Sequence, residues 1–140
     1  MAKTTTIHDC RLIEFPKNHQ INGNLTSITN KEEVPFDIKR IYYLYDVPGG
    51  ESRGAHGHRD LYQIMVALSG SFTVTLDDGN NKQSFHLYQP YQGLLIPPGL
   101  WRDLDTFSSG SICMVLASEV YEEADYFRNY EEFKLWKSSK

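Results

Sequence analysis

The feature that most constrains the fold is a train of short β-type runs, each four to eight residues long and each cut off by turn-forming residues. Leu25–Thr29 follows the turn Asn22-Gly23-Asn24, and Ile38–Tyr45 is rich in β-branched and aromatic residues before Val47-Pro48-Gly49-Gly50 ends it. Leu61–Leu68 and Ser71–Leu76 flank Ser69-Gly70, and Gln83–Tyr88, Gly93–Ile96 and Ser111–Ala117 complete the set. Asp77-Asp78-Gly79-Asn80-Asn81 is a strong hairpin turn, because Asn, Asp and Gly tolerate positive φ. Runs of this length at such spacing predict an all-β sandwich or barrel. One stretch departs from the pattern. In Glu122–Lys137, Tyr126, Tyr130, Phe133 and Trp136 recur at three- and four-residue steps, which predicts a C-terminal helix packed on the outside.

No repeat, low-complexity tract or linker divides the 140 residues, so a single domain is expected. The net charge of −4 argues against nucleic acid as the main partner, since binding a polyanion calls for a basic field. It leaves room for a small anionic ligand, because one or two placed arginines suffice for a diphosphate. Cys10 and Cys113 form neither a CxxC pair nor a zinc spacing and read as reduced, buried thiols. No apolar run reaches the roughly 20 residues of a membrane span, and Met1–Arg11 lacks a signal-type apolar stretch. A cytoplasmic location without membrane contact is the expectation.

The informative segment is Gly50-Glu51-Ser52-Arg53-Gly54-Ala55-His56-Gly57-His58-Arg59-Asp60-Leu61-Tyr62-Gln63, running on to Gly70. On a strand, residues two apart face the same way, so His56 and His58 point together into one cavity. The spacing of Gly50, His56, His58 and Gly70 resembles the first cupin motif, and Pro97-Pro98-Gly99 resembles the start of the second. The resemblance implies a double-stranded β-helix, the cupin or jelly-roll barrel. Two positions depart from it. Gln63 stands where that motif has a metal-binding Glu, and Arg102 stands three residues past Gly99, where the third metal-binding His is expected. An amide is a poor ligand and a guanidinium carries a permanent charge, so neither a catalytic metal nor another cofactor is expected. Two imidazoles remain as candidates for proton transfer near neutral pH.

Further segments narrow the resemblance. Ile38-Lys39-Arg40-Ile41-Tyr42-Tyr43, Arg53-Gly54-x-His56-x-His58, Leu76-Asp77-Asp78-Gly79, Val115-Leu116-Ala117-Ser118 and Tyr121-x-Glu123-x-Asp125-Tyr126 together look like the sugar 3,4-ketoisomerases of the FdtA, QdtA and WxcM-like group. The resemblance extends from about Gly23 to Phe133. It implies a metal-free isomerase that moves the keto group of dTDP-4-keto-6-deoxyglucose from C4 to C3, on the way to 3-amino-3,6-dideoxy sugars. It also implies a homodimer that exchanges N-terminal strands. Under this reading His58 is the main base at C3 and His56 assists, a division of labour that the residues alone leave open.

Candidate substrate contacts are Arg40 and Arg53 for the diphosphate, Arg102 for the sugar or a phosphate, Gln63, and Tyr42 or Tyr43 for stacking or hydroxyl contacts. Alternation puts Arg40 and Tyr42 on one strand face and Tyr43 and Tyr45 on the other; it does not say which face is inward. In the family the residue before Gly23 helps choose the face of C4 reprotonation, and Asn22 leaves that outcome open. Three rivals stand beside this reading: a sugar-nucleotide 3,5-epimerase, whose usual base is a His–Asp pair that the His-x-His motif does not supply; a metal-dependent oxygenase, disfavoured by Gln63 and Arg102; and a non-catalytic sugar-binding cupin.

Overall fold

The structure is a computed structural model and describes residues 2–139. Twelve strands and one helix follow in order. The N-terminal part holds β1 (Arg11–Glu14), the hairpin strands β2 (Asn18–Gln20) and β3 (Gly23–Leu25), and β4 (Arg40–Leu44). The barrel continues with β5 (Arg53–His58), β6 (Gln63–Ser69), β7 (Phe72–Asp77), β8 (Lys82–Leu87) and β9 (Gln92–Ile96). It closes with β10 (Trp101–Asp105), β11 (Ile112–Ala117), the short β12 (Tyr126–Phe127) and helix α1 (Tyr130–Ser138).

Two five-stranded sheets form the barrel, in the orders β1-β9-β6-β11-β4 and β12-β5-β10-β7-β8, with antiparallel pairing throughout. This is the expected double-stranded β-helix. Strand alternation builds its interior: Met65, Val74, Leu76, Leu94, Ile96, Leu104, Cys113 and Val115 point between the sheets into one buried cluster. Burial of such side chains contributes roughly 1.5–3 kcal/mol each. The Asp77–Asn81 turn closes β7 onto β8 as read from sequence. Gly79 takes φ 94°, and Asp78 Oδ1 accepts from the N–H groups of Asn80 and Asn81 at 2.9 and 2.7 Å.

The opposite face of the first sheet carries a second cluster in which Ile64, Val66 and Leu116 meet Phe15, Val34, Ile28 and Ile38. This explains one departure from expectation. Residues 26–29 form no strand; they cross the outside of the sheet as irregular chain, and Ile28 is held by apolar contact rather than by a ladder.

The C-terminal helix is also shorter than the sequence suggests. The predicted span Glu122–Lys137 divides into a 3₁₀ turn at Glu123–Asp125, strand β12 paired to β5, and α1 from Tyr130. Asn129 stops the helix from reaching further back, its side chain accepting from Glu132 N–H at 3.0 Å as an N-cap. Phe133 is fully buried against Trp101 and Phe127. Gly57 allows that close approach, since a Cβ there would stand 3.2 Å from the Phe133 ring and 3.3 Å from Leu100 O. Among the described residues no helix is long and apolar enough to cross a membrane.

Candidate active site

A cavity of about 300 Å³ opens between the sheets, lined by Arg40 and Tyr42 from β4, Arg53 and His56 from β5, Met65, Leu104, Cys113, Val115, and Tyr126 with Arg128 beyond β12. That volume suits a sugar ring and its nearest phosphate. The lining settles which face of β4 is inward. Arg40, Tyr42 and Leu44 turn toward the barrel, and Tyr43 turns away, 59 % exposed and tilted against the Tyr45 ring. Tyr43 is therefore removed from the candidate site: its strand neighbours claim the inner face, and alternation sends it out.

His56 and His58 lie on one face of β5 as the two-residue spacing requires, with ring centroids 4.8 Å apart and planes almost perpendicular. His56 lines the cavity, and His58 sits fully buried behind it. The Nε2 atoms of both rings are buried without a hydrogen-bond partner. Tyr126 packs on both rings, at 5.1 Å from His56 and 4.3 Å from His58.

Sequence reasoning missed the group that orients His58. Asp125 Oδ2 lies 2.7 Å from His58 Nδ1, and its Oδ1 accepts from Asp60 N–H at 2.6 Å. Burial pushes the Asp125 carboxyl upward, but the His58 hydrogen bond and those from backbone N–H groups outweigh it and hold it below the usual carboxylate range. A carboxylate only accepts, so Nδ1 carries the ring proton and the Nε2 lone pair is left free. Burial, followed by the charges of Arg102, His58 and Arg128, pushes His56 down to about 2. Burial also lowers His58, but Asp125 pulls it back, to about 4. Both imidazoles are thus neutral at physiological pH, and the dyad member is the stronger base.

Behind them stands Arg102, which pairs with His56 across β10–β5 and is completely buried. Its guanidinium donates to Gln63 Oε1 and, at 3.2 Å, to Leu100 O. Among the described residues it has no ion pair. Gln63 Nε2 in turn donates to the Tyr42 hydroxyl at 2.9 Å. The positions that would hold a metal in a cupin thus carry His56, His58, Gln63 and Arg102, and a divalent ion does not fit them: the amide oxygen is engaged by the guanidinium, and the guanidinium has no lone pair to offer.

The protein is acidic overall, yet three arginines converge on the cavity. Arg40 stacks over Tyr42 and Tyr121, with centroid distances of 5.1 and 5.6 Å. Arg53, exposed at the start of β5, reaches the rim. Arg128, not anticipated from sequence, stacks over Tyr126 at 4.2 Å and pairs with Glu123 at 2.8 Å. Among the described residues Asp125 is the carboxylate that engages His58 and Glu123 the one that pairs with Arg128, so Arg40 and Arg53 leave the pocket a positive surplus suited to a diphosphate.

Fold and motif positions together define a cupin-type barrel with a guanidinium and an amide among its ligand positions. The model of the FdtA family (WxcM-like, C-terminal) matches residues 8–138, and the chain belongs to that family. It is 44 % identical over 126 residues to the TDP-4-oxo-6-deoxy-alpha-D-glucose-3,4-oxoisomerase of Aneurinibacillus thermoaerophilus, covering 90 % of this chain and 91 % of the relative. Among solved structures it is similar to a His-to-Asn mutant of the 3,4-ketoisomerase QdtA from Thermoanaerobacterium thermosaccharolyticum, in complex with TDP-4-keto-6-deoxyglucose. That match has a TM-score of 0.92, 36 % identity, and coverage of 94 % of this chain and 96 % of that one. The dTDP-4-dehydrorhamnose 3,5-epimerase of Bacillus anthracis shares the fold alone, at a TM-score of 0.76 and 19 % identity over 87 % of this chain and 79 % of that one.

These findings correct one argument. The epimerase reading is not excluded by want of a His–Asp pair, because His58 and Asp125 form one. What separates the two readings is the family.

Proposed function

We propose that the chain is a TDP-4-keto-6-deoxyglucose 3,4-ketoisomerase that works by imidazole acid–base catalysis. The observation that carries the mechanism is the neighbouring pair of unpartnered, neutral Nε2 atoms, His56 on the wall of the arginine-lined cavity and His58 buried behind it in a dyad with Asp125. The C4 carbonyl acidifies the C3 proton. An imidazole Nε2 takes that proton, the C3–H electron pair forms a C3=C4 double bond, and the carbonyl π pair moves onto O4. The O3 proton passes to O4, a proton returns to C4, and the ketone re-forms at C3. Atoms and electrons balance, and no cofactor enters. His58, the stronger base by virtue of Asp125, is assigned the C3 proton. His56, on the cavity wall, is assigned the transfer between oxygens or the delivery to C4. Arg40, Arg53 and Arg128 hold the diphosphate through forked, charge-assisted hydrogen bonds.

We also read the chain as a homodimer. The outer face of the first sheet still exposes Leu12, Ile41 and Leu68, the last two 56 % and 43 % accessible, and the β2–β3 hairpin beside it leaves Ile21 fully exposed. A contiguous apolar face of this kind is covered in most soluble proteins. The buried free thiols of Cys10 and Cys113 support a reducing, cytoplasmic setting.

The test is NMR of the product formed from TDP-4-keto-6-deoxyglucose in deuterated water. A 3-keto product with exchange at C3 and C4 is expected. Exchange at C3 and C5 without keto migration would replace this reading by an epimerase, and tight binding without turnover would replace it by a binding module. Light scattering at micromolar concentration checks the dimer.

A further inference from the structure

Two fully buried polar side chains, Arg102 and Gln63, and the half-buried Tyr42 form a hydrogen-bonded chain that spans the barrel from one sheet to the other. Arg102 stands on β10 of the second sheet, and Gln63 and Tyr42 on β6 and β4 of the first. The two first-sheet strands are separated by β11, where Ala117 faces Gln63 on one side and Val115 faces Tyr42 on the other, so the two side chains reach diagonally across that strand.

The direction of every hydrogen bond in this chain is fixed at one end. A guanidinium has five N–H donors and no acceptor. Gln63 must therefore present its carbonyl oxygen to Arg102, which turns its NH₂ toward Tyr42. The phenol oxygen accepts that N–H, and its own proton then points away from Gln63. Tyr42 lines the cavity. Its phenol is held above the ordinary range, burial outweighing the nearby Arg102 cation and the Gln63 hydrogen bond, so it keeps its proton at any working pH.

We infer that Tyr42 is the hydrogen-bond donor to the enediolate oxygen that forms during the isomerisation, its O–H turned into the cavity because Arg102, acting through Gln63, sets the direction of the chain. The inference rests on the ketoisomerase reading above. Tyr42 is then a catalytic residue, and Gln63 and Arg102 are positioning residues. The donor matters little to the neutral ketone and much to the oxyanion, because charge develops on O4 only as the C3 proton leaves. A preorganised donor aimed at such a site acts mainly on kcat. Gln63 also acquires a reason to be an amide rather than a carboxylate. A carboxylate there would accept from both neighbours, and the Tyr42 proton would turn inward to it, leaving the cavity without a donor.

The experiment compares Tyr42→Phe, Gln63→Glu and the double variant with the wild type. It measures kcat and KM for TDP-4-keto-6-deoxyglucose, affinity for TDP, and thermal stability. Each single variant is expected to lose about 10²- to 10³-fold in kcat, the usual effect of removing one oxyanion donor. KM and TDP affinity should stay within about threefold. The double variant should be no worse than about threefold below the weaker single, because both changes remove the same hydrogen bond. Gln63→Glu keeps Tyr42 and the shape of the side chain, so it decides the matter alone if Tyr42→Phe folds poorly. Retention of wild-type kcat by either variant, or losses that multiply in the double, overturns the inference while leaving the ketoisomerase reading intact. Absence of turnover in the wild type overturns that reading, and the inference falls with it.

Discussion

Replacing Asp125 by Asn tests the orientation of the base with almost no change of shape. The side chain has two duties: one oxygen accepts from Asp60 N–H at 2.6 Å and the other faces His58 Nδ1 at 2.7 Å. An amide has one oxygen for these two donors. Holding Asp60 N–H turns the NH₂ toward His58, which must then accept at Nδ1 and carry its proton on Nε2, where the lone pair is needed. A hydrogen bond of that kind favours the wrong tautomer by roughly 1–2 kcal/mol. The imidazolium formed on proton abstraction also loses its counter-charge, worth about 4 kcal/mol at a 4 Å separation with an effective dielectric of 20. Together these predict a fall in kcat of about 10⁴-fold at roughly 1.4 kcal/mol per decade. Stopped NMR assays and deuterium wash-in at C3 give the rate, and TDP affinity should hold. A variant within about fivefold of the wild type, or one that loses only KM, would refute the dyad as the base.

Other outcomes follow from the same geometry. Both histidines have folded-state pKa values below their ordinary 6.5, so the unfolded chain binds more protons below that pH. Their contribution to stability is complete above 6.5 and is lost as pH falls, down to about 4 for His58 and about 2 for His56. Thermal melts should drop steeply from pH 7 to 5, and His56→Asn should flatten the slope; an unchanged slope counts against the buried neutral pair. Gly57→Ala should cost about 1–3 kcal/mol by forcing Phe133 off its seat, read as a lowered denaturant midpoint with unchanged slope. Gln63→Glu combined with Arg102→His would supply two His, a Glu and a third His, and purified protein should then bind a divalent ion stoichiometrically by metal analysis. A metal-free double variant would show that His56 and His58 do not converge as described.

Much of the architecture was readable because its causes are local. Turn residues such as Asp77–Asn81 act through their own φ preferences, and His56 and His58 share a face because a strand repeats every two residues. Asp125 was not readable as a partner: 67 residues separate it from His58, and only the pairing of β12 on β5 brings them together. The aromatic spacing of Tyr126, Tyr130, Phe133 and Trp136 suggested one helix, yet Tyr126 belongs to a strand, since periodicity cannot mark where a ladder gives way to a turn of helix. The face of β4 that turns inward required the barrel itself, because both faces of that strand carry a tyrosine.

The lone guanidinium of Arg102 has an evolutionary corollary. Among the described residues this buried cation has no direct ion pair, with the Asp125 carboxylate felt only at a distance, and Arg102→Met, similar in length and free of charge, would remove its desolvation cost. A laboratory campaign that ranks variants by heat tolerance alone would therefore favour sequences that have abandoned this position. With Arg102 positioning Tyr42 as inferred above, heat tolerance and turnover pull in opposite directions at this one position.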